Sequence, residues 1–169
     1  MEITDIKAFI DYFDRVHSRT ERIVELVPMD RLEHKPIVHK FSFADLIRHV
    51  AAVERYMFVE IAIGNKNHYP GHSQDLAAGY KNIMNYYHNL HSESRELLLS
   101  LSNNDLEKKR LTPANTELSL WKWLRAMIEH EIHHRGQLYS MLAILEIKTP
   151  PLYGLSSEEL LAKSVKNFE

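Results

Sequence analysis

His130-Glu131-Ile132-His133-His134-Arg135-Gly136-Gln137 is the stretch of this chain whose residue types and spacing point most directly to chemistry. His130 and His134 are one helical turn apart, so on a helix their imidazoles lie one above the other. Leu124, Met127, Leu138, Met141 and Leu145 share that face and turn it toward an interior. Neutral imidazole is the commonest protein metal ligand, and this spacing lets two ring nitrogens reach one ion. Two ligands make a weak site, and His49, among the apolar positions of an earlier helical stretch, is the best third donor. An inward histidine, or a hydrogen-bonded pair of them, is also an ordinary core feature, so ligation and packing both remain open on spacing alone.

The neighbours have assignable roles. Gln137 lies about two turns past His130 on nearly the same face and can orient a ligand or substrate. Tyr56 and Trp123 each lie about two turns from a candidate ligand and can wall a pocket, although core filling suits the tryptophan better. Glu131 is rotated by about 100° from His130; it is a weak candidate for a catalytic base and a better one for a packing or solvated glutamate. His133 points away from the pair, toward a surface or interface. Arg135 is expected to pair with an acid on a neighbouring helix, and Gly136 to allow close helix contact. His130-Glu131-x-x-His134 also spells the zincin string, with Glu158 or Glu159 as a remote third ligand. A zincin lays its peptide along a strand, and no convincing strand pair is apparent here.

The elements that must hold these residues follow from periodicity. Five glycines and six prolines fall between long apolar-periodic stretches, which favours an all-helical chain. Helix 1 is expected from Thr4 to Val27, with a polar break at residues 17 to 20 and Pro28 as its stop. Helix 2 runs from Phe43, capped by Ser42 with Asp45 three residues on, to Ile63 before Gly64. Helix 3 runs from Gln74 to Leu101, weakened early by Gly79. Residues 106 to 118, with Thr112-Pro113, read as a loop or a short turn. Helix 4 runs from Leu120, capped by Ser119, to Glu146, and a short last helix from Ser156 or Ser157 to Lys166. Four long amphipathic helices bury their stripes most simply as a four-helix bundle.

Composition bounds the function classes. A chain of 169 residues suits a single domain spanning 1–169, with 44% apolar and 26% charged residues. Lysine and arginine number 21 against 23 acids, so no basic excess supports nucleic-acid binding. No apolar run approaches a membrane span, and Met1-Glu2-Ile3-Thr4-Asp5 lacks the basic start of a signal peptide, so a cytoplasmic location and no membrane partner are expected. Cysteine is absent, which removes disulfides, thiolate ligands and a cysteine nucleophile together.

The His130–Gln137 run, with Leu46-Ile47-Arg48-His49-Val50 before it, resembles the DinB-like (DinB/YfiT) superfamily of metal-dependent proteins. Ser42-Phe43, Trp121, Trp123 and the Pro150-Pro151-Leu152-Tyr153-Gly154 tail extend the match. The resemblance implies an up-down-down-up bundle and one divalent ion held by His49, His130 and His134. Three neutral imidazoles leave the ion its full charge and an open position, the pattern of a catalytic site. Zn²⁺ or Ni²⁺ suits imidazole well, and Fe²⁺ or Mn²⁺ is compatible.

Relatives by resemblance include transferases that use bacillithiol, mycothiol or glutathione. A chain without cysteine that supplies an ion and a pocket suits a thiol brought by a cosubstrate, which then attacks an electrophile. The same site suits a hydrolase that activates water, or a metal-binding module without turnover. The resemblance also implies a setting in stress response and homodimerisation. If helices 2 and 4 run antiparallel, the site lies toward the end carrying residues 28–42 and 150–154, with Phe41, Tyr69 and Tyr153 near its mouth.

Overall fold

Side-chain caps open the first two long helices, while the later long helices start from a glycine and from a hairpin. The structure, a computed structural model, describes residues 2–38 and 40–165. Helix α1 (Ile6–Val24) starts at Asp5, whose carboxylate accepts the Ala8 N–H at 2.7 Å. It buries Ile6, Phe9, Ile10, Phe13, Val16 and Ile23. The expected extension to Val27 instead tightens into i→i−3 turns: Leu26 bonds Ile23 at 3.2 Å and Val27 bonds Val24 at 3.1 Å ahead of Pro28.

Helix α2 (Phe43–Val53) opens with the expected capping box. Asp45 N–H donates to the Ser42 hydroxyl at 3.0 Å, and Ser42 N–H donates to the Asp45 carboxylate at 3.1 Å. The helix then widens without a break into a π turn (Glu54–Val59) and closes with a short α turn, α3 (Glu60–Ala62). Periodicity did not reveal that widening, because one wide turn leaves the apolar residues near helical spacing.

Helix α4 (Tyr80–Leu98) starts six residues later than expected. Gly79 sits before it with φ 78°, a left-handed backbone that ends the preceding irregular segment rather than weakening a helix interior. A 3₁₀ turn (Gln74–Leu76) occupies part of the region assigned to helix.

Residues 106 to 118 hold most of a hairpin where a loop or a short turn was expected. Strand β1 (Lys109–Leu111) pairs antiparallel with β2 (Glu117–Ser119), with Lys109 opposite Ser119. Strands of three residues are too short for alternation to show in sequence. The hairpin also caps helix α5 (Leu120–Ile144): Leu120 N–H donates to Lys108 O at 2.9 Å and Trp121 N–H to Leu106 O at 3.0 Å. Ser119 therefore does not cap with its side chain; its hydroxyl accepts Lys109 Nζ at 3.1 Å.

Helix α6 (Ser157–Val165) follows, with Ser156 and Glu159 exchanging bonds at its start. Its expected end at Lys166 lies outside the described residues.

The fold is an all-α bundle with a small hairpin attached. Helix α1 packs mainly on α5, α2 on α4 and α5, and α4 also on α1, so each long helix has two principal neighbours. One part of the core gathers Ile23, Leu46, Val50, Tyr87 and Leu138; the other gathers Ile10, Phe13, Val53, Leu98 and Leu124. The histidine-bearing turns of α2 and α5 meet where these two clusters adjoin.

Candidate metal centre

Arg48 anchors the turn that carries His49. Its side chain is fully buried, and all three guanidinium nitrogens are bonded. Nε donates to His72 O at 2.9 Å and Nη1 to Ala77 O at 2.8 Å. Glu33 accepts two bonds at 2.9 and 3.1 Å, and Asp45 accepts one at 2.9 Å. One side chain thus ties residues 28–42 and 64–79 to α2 beside the candidate ligand. A planar fork of five donors suits this; an ammonium could not make it.

The ligand nitrogens of His49, His130 and His134 lie within 4.8 Å of one another. His130 Nε2 and His134 Nε2 face each other at 3.0 Å. His134 Nδ1 is 2.9 Å from Gln137 Oε1, an acceptor, so the proton sits on Nδ1 and Nε2 carries a lone pair. The Gln137 amide in turn reaches His133 Nε2 at 3.0 Å. His49 Nδ1 is 2.8 Å from the Tyr69 hydroxyl, which is 3.2 Å from His72 Nδ1. With His49 Nδ1–H donating to Tyr69 and Tyr69 donating to His72, His49 Nε2 is left free to bind. The free nitrogens of His49 and His134 are thereby each held by a bond made on the far side of the ring, as in metal-ligating histidines.

Electrostatics favour three neutral rings. Burial, then the neighbouring imidazoles, lowers His49 to about 4 and His130 to about 3. Burial also lowers His134, against the Gln137 bond that raises it. One shared proton can bridge two of these nitrogens; a cation serves all three. The donor set and its protonation fit a divalent ion of borderline softness, with His49, His130 and His134 placed to hold it.

The surroundings depart from expectation in several places. Phe41 stacks on His49 with centroids 5.1 Å apart, and Tyr69 bonds it, so both stand at the triad. Tyr153 does not: its hydroxyl bonds Arg135, and its ring lies under Arg19, on the α1 side. Arg135 has no acid partner among the described residues; it donates to Val16 O, the Thr20 hydroxyl and Tyr153. Tyr56 faces His68 at 5.0 Å instead of walling the triad. The reason is the π turn, whose i→i+5 bonding turns the chain less per residue and carries Phe58 rather than Tyr56 to His130, 5.6 Å away. Trp123 stands one ring further out, 4.6 Å from Phe58, and donates to the Phe58 carbonyl at 2.9 Å.

Glu131 is 3% exposed and belongs to a different cluster, so it is neither solvated nor aimed at the triad. Gly136 makes no close helix contact; it lines a cleft of about 520 Å³ with Phe41, Lys40, His133 and Gln137. The last helix is placed by its own capping bonds, not by ligation through Glu158 or Glu159, and the described strands form only the short hairpin, so the zincin reading finds no support. Sequence reasoning missed Arg48 and His72. An arginine beside an inward histidine was the available signal for the first, and nothing local marked the second.

Comparison with known proteins agrees with this fold. No curated protein sequence matches the chain. A DinB-like protein from Bacillus cereus ATCC 10987 superposes with a TM-score of 0.73 at 15% identity, covering 89% of this chain and 99% of that one. A DinB-like protein from Bacillus subtilis gives 0.68 at 17% identity, covering 86% and 97%. Such low identities speak for the fold alone. The family model of the DinB superfamily matches residues 12–138, which include all three histidines. The chain belongs to the DinB superfamily.

Proposed function

We propose that this protein is a metal-dependent transferase that activates a low-molecular-weight thiol for attack on an electrophile, with Zn²⁺ or Ni²⁺ at His49, His130 and His134. The carrying observation is the donor set: three neutral imidazoles, two of them oriented by Tyr69 and Gln137, beside an open cleft, in a chain without cysteine. A bound divalent ion supplies Lewis acidity that lowers the pKa of a thiol or water reaching it.

The chain's own residues do the rest. Tyr69 and Gln137 hold the ring orientations. Phe41 and Phe58 exclude water from two sides. Lys40 lines the clefts on both sides of Phe41 and gives them a positive edge, which suits a thiol bearing a carboxylate. Transfer forms a sulfur–carbon bond as the carbon–leaving-group bond breaks; the thiol proton passes to water and the leaving group departs with the bonding pair.

The test is thiol consumption by the metal-loaded protein with an activated aryl halide, across bacillithiol, glutathione and cysteine. The expected result is turnover abolished in His134→Ala and reduced several-fold in Lys40→Ala for the carboxylate-rich thiols. Ester cleavage without thiol, abolished by the same His134→Ala change, would transfer the assignment to a hydrolase. A folded, metal-loaded protein with neither activity would leave a binding module.

A further inference from the structure

The polar break of α1 is buried. His17 is 6% exposed, and its ring is sandwiched between Tyr87, with centroids 4.4 Å away, and His91, 3.5 Å away. Glu54, the first residue of the π turn, is 5% exposed in the same place. Ligand atoms of His17, Glu54 and His91 lie within 4.8 Å of one another. Glu131, a second buried carboxylate on α5, lies outside that group. One donor therefore comes from each of α1, the α2–π helix and α4.

These groups are not satisfied by one another. His17 Nδ1, Glu54 Oε1, His91 Nδ1 and Glu131 Oε1 are all buried without a hydrogen-bond partner. Each such atom is costly to leave unpaired, and four in one region is a concentration that native cores avoid. His91 Nδ1 stands 3.5 Å from Glu54 Oε1. Its other nitrogen, Nε2, is 3.2 Å from Asp14 Oδ1, and Arg95 fixes Asp14 from outside at 3.0 Å. A carboxylate holding the far side of an imidazole is the arrangement that orients a metal-ligating histidine.

We propose that His17, Glu54 and His91 form a second divalent-metal site in the bundle core, separate from the His49–His130–His134 centre. A proton on His91 would satisfy Glu54 and Asp14 but leave His17 unpaired; one cation accounts for all three. The Glu54 carboxylate offsets part of the charge of a divalent ion, as a water-poor interior requires. Two imidazole nitrogens and a carboxylate suit Fe²⁺, Mn²⁺ or Zn²⁺. The rings of His17 and His91 are 13° from parallel, so ligation turns them about χ2 until their lone pairs converge, a torsion that is broad in histidine. Joining α1, the α2–π helix and α4 at one level, the ion acts on stability.

The experiment uses the full chain stripped by chelator, titrated with Zn²⁺ and with Mn²⁺, and followed by calorimetry and metal analysis. Wild-type protein is expected to bind two ions per chain. His49→Ala/His134→Ala, which removes the first centre, should retain one, and that ion should raise its melting temperature. Adding Glu54→Gln should abolish the remaining ion. If Glu54→Gln does not fold, Asp14→Asn in the same background reads the same site from the surface, with an expected 10–100-fold loss of affinity. A single ion in the wild type, or none in His49→Ala/His134→Ala, overturns the proposal while leaving the first centre intact. Unchanged affinity in the folded Glu54→Gln or Asp14→Asn variant overturns it equally.

Discussion

Replacing Arg48 by methionine isolates the anchor beside the metal centre. Methionine keeps most of the apolar stem and removes the guanidinium with its five bonds. Breaking a buried charge network by deleting one partner costs about 3–5 kcal/mol. The acids left behind are not sealed in: Glu33 is 43% exposed and Asp45 16%, so both can rehydrate, and the lower end, about 3 kcal/mol, applies. For a chain of this length each kcal/mol shifts Tm by about 2–4 °C, so the expected fall is about 6–12 °C. Arg48→Lys keeps the charge but loses the fork and should fall between the two. Urea unfolding of chelator-treated protein measures this, with stability read at constant m. The metal titration of the same variant should weaken as well, because residues 64–79 lose their tie to α2. A loss under about 1 kcal/mol at unchanged m would show that the network is not what holds these connections.

Tyr69→Phe removes the bond that orients His49 and should weaken metal binding 10–100-fold with under about 1.5 kcal/mol lost from the metal-free protein; equal affinity in a competition titration would discount the tyrosine. Gln137→Leu should act likewise through His134, and rescue by Gln137→Glu, which restores the acceptor, separates orientation from packing. Acid should destabilise the metal-free chain. His17, His49 and His130 are lowered by burial to about 2, 4 and 3, and His134 is lowered too, so these rings stay neutral when folded. Unfolded histidines take protons near pH 6.5, so the unfolded state binds more protons and stability falls as pH drops from about 6.5 toward 4. His91 and Glu131, both raised, act in the opposite direction but are fewer. Urea midpoints that stay flat from pH 7.5 to 5 would contradict the neutral-core assignment.

The existence of the long helices and the pairing of His130 with His134 were legible because both depend on a local period; the helix ends were less so, as the late start of α4 at Tyr80 shows. The Ser42–Asp45 box was legible for the same reason. His49 could be placed on an inward face but not at a distance, since which helices adjoin is a tertiary matter. What failed was local phase and distant partnership. Tyr56 was assigned by counting α turns across residues that wind more widely. Tyr153 was placed by the direction of the tail, while the hydroxyl was drawn to Arg135 on another face. His17 and Thr20 read as a polar interruption because a polar residue at a core position looks like a break until its neighbours are known. The hairpin escaped because its evidence lies in two three-residue segments and in carbonyls that serve a helix start.

The wide turn at Glu54–Val59 has a consequence for how the chain tolerates change. An angular offset introduced there is inherited by every later residue of that rod, including Ala62, whose carbonyl receives Arg110 of the hairpin at 3.0 Å. Glu54 enters one histidine cluster at the start of the offset, and Phe58 reaches the other near its end. Removing a single residue from this interval would rewind the rod to ordinary pitch and put the two clusters and the hairpin out of register with one another. A one-residue deletion here is therefore a harsher change than most substitutions in the same helix, because no repacking of side chains restores a lost rotation.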